Sequence, residues 1–371
     1  MRTLVKGATA SLAACALASL APAWDRILVA GYGSNNMLSF YVHSFEFEGL
    51  VLGPTTGGAA VYAAMLHQGK LYTCNWGENA VHQFDVVTGA YLQTISSPGS
   101  EGAADMPAGL AIGADGMLVV SSSQENVLRR FHPHTGEPLG IFVGVEAGLS
   151  QPDAIIRTST GHFLVCSRGN HAIFRISADG KEVERLIWDD PEIPGDPTGG
   201  LRYPQGLLEW GDTLLVSSGG THALHKYRMS DGEYLGRLVN TGGGGLRDPR
   251  ALALLPSGDI MVASNYTDTI KMYTPTGAYI SAFGQNAPYP FIGPTAIVLH
   301  MEEEVVFAPG DTNCDGVVSV GDVGPFVLAL TDPSTYATAY PECDLLTADC
   351  NGDGVVSVGD IGSFVTLVTG G

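Results

Sequence analysis

Between residues 25 and 309 the apolar positions fall in short runs, and six segments share one order. Each has an apolar run, a polar turn, and a second run that closes on an aromatic or aliphatic side chain. They read ILVAGYGSNNMLSF, LYTCNWGENAVHQF, LVVSSSQENVLRRF, FLVCSRGNHAIFRI, LLVSSGGTHALHKY and IMVASNYTDTIKMY, ending at Phe40, Phe84, Phe131, Ile176, Tyr227 and Tyr273. Runs this short between turn residues predict strands, not helices. Successive end points lie 44, 47, 45, 51 and 46 residues apart, so the unit repeats. Between segments stand a further apolar run (YLQTIS, PLGIFV, YLGRLV, YISAFG) and another that starts after Pro107, Pro152, Pro204, Pro249 or Pro294. Those prolines are spaced 45, 52, 45 and 45.

Four short strands per unit of about 40–50 residues mark a β-propeller blade. A blade covers its faces only against its neighbours, so the ring must close. Five full blades are predicted, at 59–95, 107–143, 152–188, 204–239 and 249–283. The first repeat starts at Asp25 without an opening strand, and the last, GPTAIVLHMEEEVVFA, offers only two strands. The two halves complement each other, which predicts a sixth, composite blade. Seven blades result if the halves stay separate. The expected fold is all-β, a six-bladed (alternatively seven-bladed) propeller over 24–309. The order Pro, apolar strand, Gly turn, V-A-S-like strand, N-x-I-x-x-F resembles the NHL-type repeat. SNYTDTIKMYTPTGAYISAFG, from Ser264 to Gly284, is its nearest copy. This resemblance implies the fold and leaves function open, since propellers of this kind serve as enzymes, binders and scaffolds.

Three repeat positions carry candidate chemistry. Five residues before each terminal aromatic stand Asn35, Asn79, Asn126, His171, His222 and Asp268. They suggest a ring of metal ligands, but Asn and Asp also make turns through bonds to their own backbone and tolerate left-handed geometry. Turn chemistry is the reading taken. Ten residues before the aromatic every side chain is small: Ala30, Cys74, Ser121, Cys166, Ser217 and Ala263. Small side chains suit an inner strand near a narrowing axis, which makes Cys74 and Cys166 buried, reduced packing residues. The axial mouth is the expected binding site. Tyr32, Trp76, Arg168 and Asn265, after the small position, and Asp153, Gln205 and Arg250, after the prolines, are its candidate lining. Trp and Tyr offer stacking faces and Arg a fork for carboxylates or sugars. His222 and His225, read as one strand, would point to opposite faces. No H-E-x-x-H pair or G-x-S-x-G elbow occurs.

The pattern changes after Pro309-Gly310. DTNCDGVVSVGDVGPFVLAL from Asp311 and DCNGDGVVSVGDIGSFVTLV from Asp349 are near-duplicates, 38 residues apart. Each contains D-x-N-x-D-G-x-x-S-x-x-D. Asp311, Asn313, Asp315, Ser319 and Asp322, with the Val317 carbonyl, are spaced to wrap one Ca²⁺. Asp349, Asn351, Asp353, Ser357 and Asp360, with the Val355 carbonyl, repeat the arrangement, so two ions are expected. Three crowded carboxylates per loop would couple ion binding to folding. No helix is expected before either loop. Apolar helices are expected after them, at Val323–Leu330 and Ile361–Val368. Duplicated loop–helix units of this kind resemble a type I dockerin over 310–371. The resemblance implies a small helical calcium-binding domain and a cohesin-like partner. The family's recognition positions are here Val320-Gly321 and Val358-Gly359, which departs from its usual polar or hydroxylic pairs.

Charge and composition refine this picture. With 18 Lys plus Arg against 38 Asp plus Glu, the formal charge is −20. An acidic chain lacks the cationic field that nucleic acids require. The 45% hydrophobic and 15% charged fractions exclude a disordered polyelectrolyte, and 49 glycines exclude a long coiled coil. Nine of the acidic residues, and no Lys or Arg, lie in 310–371. Residues 1–23, with Arg2 and Lys6, an apolar run and Ala21-Pro22-Ala23, read as a secretory signal peptide. Leu12-Ala13-Ala14-Cys15 offers the rival reading of a lipoprotein box. No later run is long enough to span a membrane. Export permits disulfides, and of Cys314, Cys343 and Cys350 two are expected to pair, with Cys343–Cys350 local and Cys314–Cys350 tying the loops.

Together these features predict a secreted or cell-surface modular protein. Its propeller binds a protein or carbohydrate, and its calcium-loaded module attaches it to a cohesin-bearing or surface assembly. The alternative is a polysaccharide-degrading enzyme, a lyase or O-glycosyl hydrolase, acting at the propeller mouth.

Overall fold

The computed structural model describes residues 26–53, 60–86, 88–189, 196–300, 309–314, 317–340, 343, 345–351 and 356–369. The expected signal segment lies outside them. The chain divides into two compact units, Met1–Met301 and Glu302–Gly371.

In the first unit the strands are β1 (Arg26–Gly31), β2 (Asn36–Tyr41) and β3 (Phe47–Leu52). β4 (Val61–His67), β5 (Lys70–Asn75), β6 (Ala80–Asp85) and β7 (Tyr91–Ser96) form the first full blade. β8 (Pro107–Ile112), β9 (Leu118–Ser122), β10 (Val127–Phe131) and β11 (Pro138–Val143) form the second. The third has β12 (Pro152–Arg157), β13 (Phe163–Ser167), β14 (Ala172–Ile176) and β15 (Val183–Ile187). The fourth has β16 (Pro204–Trp210), β17 (Thr213–Ser218), β18 (Ala223–Arg228) and β19 (Tyr234–Val239). The fifth has β20 (Pro249–Leu254), β21 (Ile260–Ser264), β22 (Thr269–Tyr273) and β23 (Tyr279–Phe283), and β24 (Pro294–His300) follows. Each blade is a four-stranded antiparallel sheet, and the sixth sheet has the order β24-β1-β2-β3. The molecule is a six-bladed β-propeller. The seven-blade alternative fails because β24 pairs with β1 along its length, Arg26 opposite His300 through Ala30 opposite Ala296. The last repeat supplies one described strand to this blade rather than two, and 301–308 lie outside the described residues.

Alternate residues of a strand face opposite sides of its sheet, so each blade contributes to two cores. Leu28, Ala30 and Met37 pack with Val61, Leu71 and Phe84 of the first blade, while Ile27, Val29 and Phe40 pack with Met261, Ile270 and Met272 of the fifth. The same arrangement fills the other four interfaces. The repeated terminal aromatics are therefore inter-blade packing groups, each worth about 1.5–3 kcal/mol when fully buried. The small residues Ala30, Cys74, Ser121, Cys166, Ser217 and Ala263 are fully buried. They lie on the second strand of each blade. Cys74 and Cys166 are free thiols.

Glycine does specific work where blades touch. A Cβ on Gly277 (φ +84°) would sit against the Leu238 carbonyl of the preceding blade, and one on Gly232 (φ +73°) against that of Leu186. Only glycine fits both the left-handed backbone and that approach.

The second unit contains α1 (Val323–Thr331), α2 (Pro333–Ala339) and α3 (Ile361–Thr369). α1 and α3 follow the two acidic loops, as expected. α2 and a 3₁₀ turn at Leu345–Ala348 precede the second loop, where no helix was expected. Asp332 caps α2 by accepting from the Thr335 N–H, with Pro333 at its first position. Phe326 and Phe364 stack with ring centroids 3.8 Å apart, in a core with Ala329, Tyr336 and Ala348. Cys314 pairs with Cys343, their Cα atoms 5.8 Å apart. That replaces both expected pairings and leaves Cys350 free. Among the described residues no helix is long and apolar enough to cross a membrane.

Candidate functional site

A single backbone device builds the axial mouth. Where the innermost strand of each blade begins, its pairing with the second strand slips by one residue. The slipped residues include Tyr62, Ala108, Asp153, Gln205, Arg250 and Thr295. A β-bulge re-aims the extra side chain, and here Tyr62, Asp153, Gln205, Arg250 and Thr295 line an axial cavity of about 150 Å³.

These side chains bond across the axis. Arg250 Nη1 donates to the Tyr62 hydroxyl (2.6 Å), which donates to Asp153 Oδ2 (2.8 Å). Arg250 Nε and Nη2 donate to Asp248 Oδ2 (3.2 and 3.1 Å), and Gln205 Nε2 donates to Asp248 Oδ1 (3.0 Å). The channel is thus plugged by a polar network joining four blades. Burial pushes the Asp153 carboxyl up to about 6, although Arg250, the Tyr62 hydroxyl and Arg168 all oppose the shift. A buried, perturbed carboxyl beside two guanidinium groups in a cleft is a functional-site signature.

Above the plug the second strands end in short turns. Trp76, Arg168 and Asn265 each open a single 3₁₀ turn, closed by Asn79, His171 and Asp268 in the left-handed region. Trp76, Tyr32 and Tyr62 form an aromatic cluster, with centroids 5.3 Å (Tyr62–Trp76), 5.9 Å (Tyr32–Trp76) and 6.2 Å (Tyr32–Tyr62) apart. Arg168 lies over the Tyr203 ring at 5.7 Å. Asn265 Nδ2 donates to the Pro294 carbonyl. Tyr32, Trp76, Asp153, Gln205 and Arg250 therefore converge through Tyr62 and Asp248, and Arg168 acts on Tyr62 and Asp153 by its charge. Asn265 stands on the rim, bonded to backbone. Sequence reasoning missed Tyr62, Asp248 and Tyr203. Tyr62 follows Val61 where the other blades have proline, but it stands twelve residues ahead of Cys74, as Gln205 does ahead of Ser217.

The six turn residues Asn35, Asn79, Asn126, His171, His222 and Asp268 all have positive φ, which bears out a turn role. Their side chains, however, reach the next blade. Asn35, Asn79 and Asn126 accept from the backbone N–H of Ala60, Met106 and Gln151. Nδ1 of His171 and His222 accepts from Tyr203 and Asp248, and Asp268 accepts from Gly293. They are blade-to-blade latches, not a metal ring. His222 thus precedes its strand instead of sharing it with His225.

A larger groove of about 950 Å³ lies at the other end of the third and fourth blades. Its two arginines are already paired, Arg175 with Glu184 and Arg228 with Asp231 and Glu233, so the mouth is the better candidate.

In the second unit the acidic loops are built alike. Asp322 and Asp360 are fully buried. Asp322 accepts the backbone N–H of Asn313 and Ser319 at 2.9 and 2.8 Å, and Asp360 those of Asn351 and Ser357 at 3.0 and 2.8 Å. Ser319 and Ser357 close a capping box with these aspartates. Asp311 and Asp349 are buried too. Asp315, Asp353 and Val355 lie outside the described residues, and the Val317 side chain is exposed.

No protein-family profile and no curated protein sequence matches the chain. Among solved structures it is similar to one in the crystal structure of a nidogen/laminin complex, with TM-score 0.61, 14% identity, and coverage of 75% of this chain and 99% of that one. A protein of unknown function from Bacteroides caccae gives 0.55, 14%, 75% and 99%. A streptogramin B lyase gives 0.53, 14%, 74% and 83%. At this identity the likeness is one of architecture, and it places the chain among the β-propellers.

Proposed function

We propose that this is a secreted, calcium-loaded binding protein. Its propeller mouth holds a carbohydrate or protein ligand, and a dockerin-like module, residues 310–371, attaches it to a cohesin-like domain or a surface scaffold. The observation that carries this reading is the pair of near-duplicate acidic loops, whose closing aspartates accept matching backbone bonds. Each buries at least two carboxylates in a segment with no Lys or Arg. Hard oxygens at this spacing suit Ca²⁺. Asp311, Asn313, Asp315, Ser319, Asp322 and the Val317 carbonyl would hold one ion, and Asp349, Asn351, Asp353, Ser357, Asp360 and the Val355 carbonyl the other. Each ion would supply charge neutralisation that lets the loop close. The attachment surface is a repeated apolar stripe: Val320, Val323 and Val327 on one unit, Val358, Ile361 and Val365 on the other, all exposed, Val320 and Val358 at 81% and 80%. Exposed apolar patches of this kind mark interaction sites. The Cys314–Cys343 disulfide agrees with an oxidising compartment. Calorimetric titration should find two Ca²⁺ per chain, and capture on immobilised cohesins should be lost with chelator. Capture that ignores calcium, or no capture at all, refutes the attachment.

A second reading is favoured by Asp153 alone. A carboxyl pushed up to about 6 between guanidinium groups suits proton transfer to or from a bound polysaccharide, and one structural neighbour is a lyase. Turnover on a polysaccharide panel that vanishes in Asp153→Ala and Arg168→Ala would favour an enzyme over a binder.

A further inference from the structure

The mouth carries polar groups of both kinds with nothing to bond. Among the described residues, Gln205 Oε1, Trp76 Nε1 and the Arg168 Nε are buried without a hydrogen-bond partner. Gln205 is more than nine-tenths buried, and its amide nitrogen is fixed on Asp248, so the free atom is the acceptor. Buried groups like these are ordinarily paired. Arg168 makes no ion pair among the described residues. It rests on Tyr203, whereas Arg250 is held by Asp248.

Each group narrows the ligand. Gln205 Oε1 needs a donor, such as a hydroxyl. Trp76 Nε1 needs an oxygen acceptor. The Arg168 fork, uncommitted, suits an oxyanion, best a carboxylate. Trp76 and Tyr32, partly exposed, offer ring faces for apolar C–H groups. A neutral sugar leaves Arg168 unmet, an aromatic acid leaves Gln205 unmet, and inorganic phosphate has no face to lay on Trp76. We infer that the mouth takes a uronic-acid residue of an acidic oligosaccharide. Its carboxylate sits on Arg168, its hydroxyls between Gln205 and Trp76, and its ring against the aromatic cluster. This rests on the reading of the mouth as the ligand site.

The test is calorimetric titration of the full chain with trigalacturonate and, as neutral control, maltotriose. Trigalacturonate is expected to bind about tenfold or more tightly than maltotriose, the size of a charged hydrogen bond. Arg168→Gln should bring it down to the maltotriose level with an unchanged melting temperature, and Arg168→Lys should retain part of the preference. Trp76→Ala should abolish binding of both. Equal binding of the two trisaccharides, or an Arg168→Gln chain that binds trigalacturonate as before, overturns the uronate assignment. If Trp76→Ala still removes that binding, the mouth remains a saccharide site. Binding of neither sugar overturns the inference, and the attachment by the C-terminal module then stands or falls on its own cohesin capture.

Discussion

At Asp153, burial and charge pull in opposite directions. The group reaches about 6 in the fold against ~3.9 in an unfolded chain. It therefore favours the folded state fully below pH 4, and that contribution is lost as the pH rises through 6. Asp153→Asn should raise stability in urea by about 1–3 kcal/mol at pH 8, and the gain should shrink towards zero near pH 4. An Asn variant less stable at pH 8 would contradict this. A side chain that costs stability yet sits at the mouth is what a retained functional group looks like. Asp153 itself, Gln205 and Arg250 were legible as residue types beside strand entries. Tyr62 was not, because its blade lacks the proline that marks the others.

Among the elements, the latches show how far sequence reaches. The turn residues stand at a fixed distance from each terminal aromatic, so their positions were legible. Their partners were not, because a backbone N–H some 25 residues on leaves no residue-type mark. Two of the six latches are histidines, and they flank one blade, the fourth. His171 Nδ1 lies 3.2 Å from both the Tyr203 N–H and the Arg168 carbonyl. Unprotonated it accepts from the first, and protonated it donates to the second. Burial, with Arg202 nearby, holds His171 below its usual range. The stability it lends is present above pH 6.5 and is lost as the pH falls through the lower folded value. His225, buried and pushed down to about 4, acts with the same sign. His171→Asn should therefore lose less stability between pH 7.5 and 5 than the parent, by about 1 kcal/mol. His225 remains in the variant, so part of the loss persists. Equal losses would exclude the His171 latch as an acid-sensitive contact. The Cys314–Cys343 pair is a further case: spacing allowed several pairings, and only the folded proximity of the two residues selects one.

For the whole molecule, the six-fold repeat was legible because every interface is filled by the same spacing of apolar residues. How the ring closes was only half legible, since one strand from the C-terminal end suffices. β24 buries Ala296, Ile297 and Val298. A chain ending at 309 should keep a cooperative transition in near-ultraviolet circular dichroism, and one ending at 292 should lose it. Calcium removal should act elsewhere: chelator is expected to lower the temperature at which α1 and α3 lose their helical signal, and retention of that signal without calcium would argue against the ion sites.

The pairing of β1 with β24 also imposes a timetable on synthesis. Residues 26–31 leave the ribosome early, and their partner strand emerges more than 260 residues later, roughly 15–50 s at ordinary elongation rates. Throughout that interval one edge of β1 stands open, a row of backbone donors and acceptors ready to pair with any other extended chain. The newborn polypeptide is therefore most prone to misassociate at its earliest strand, and a chaperone that shields this edge should raise the yield more than one that shields any later blade.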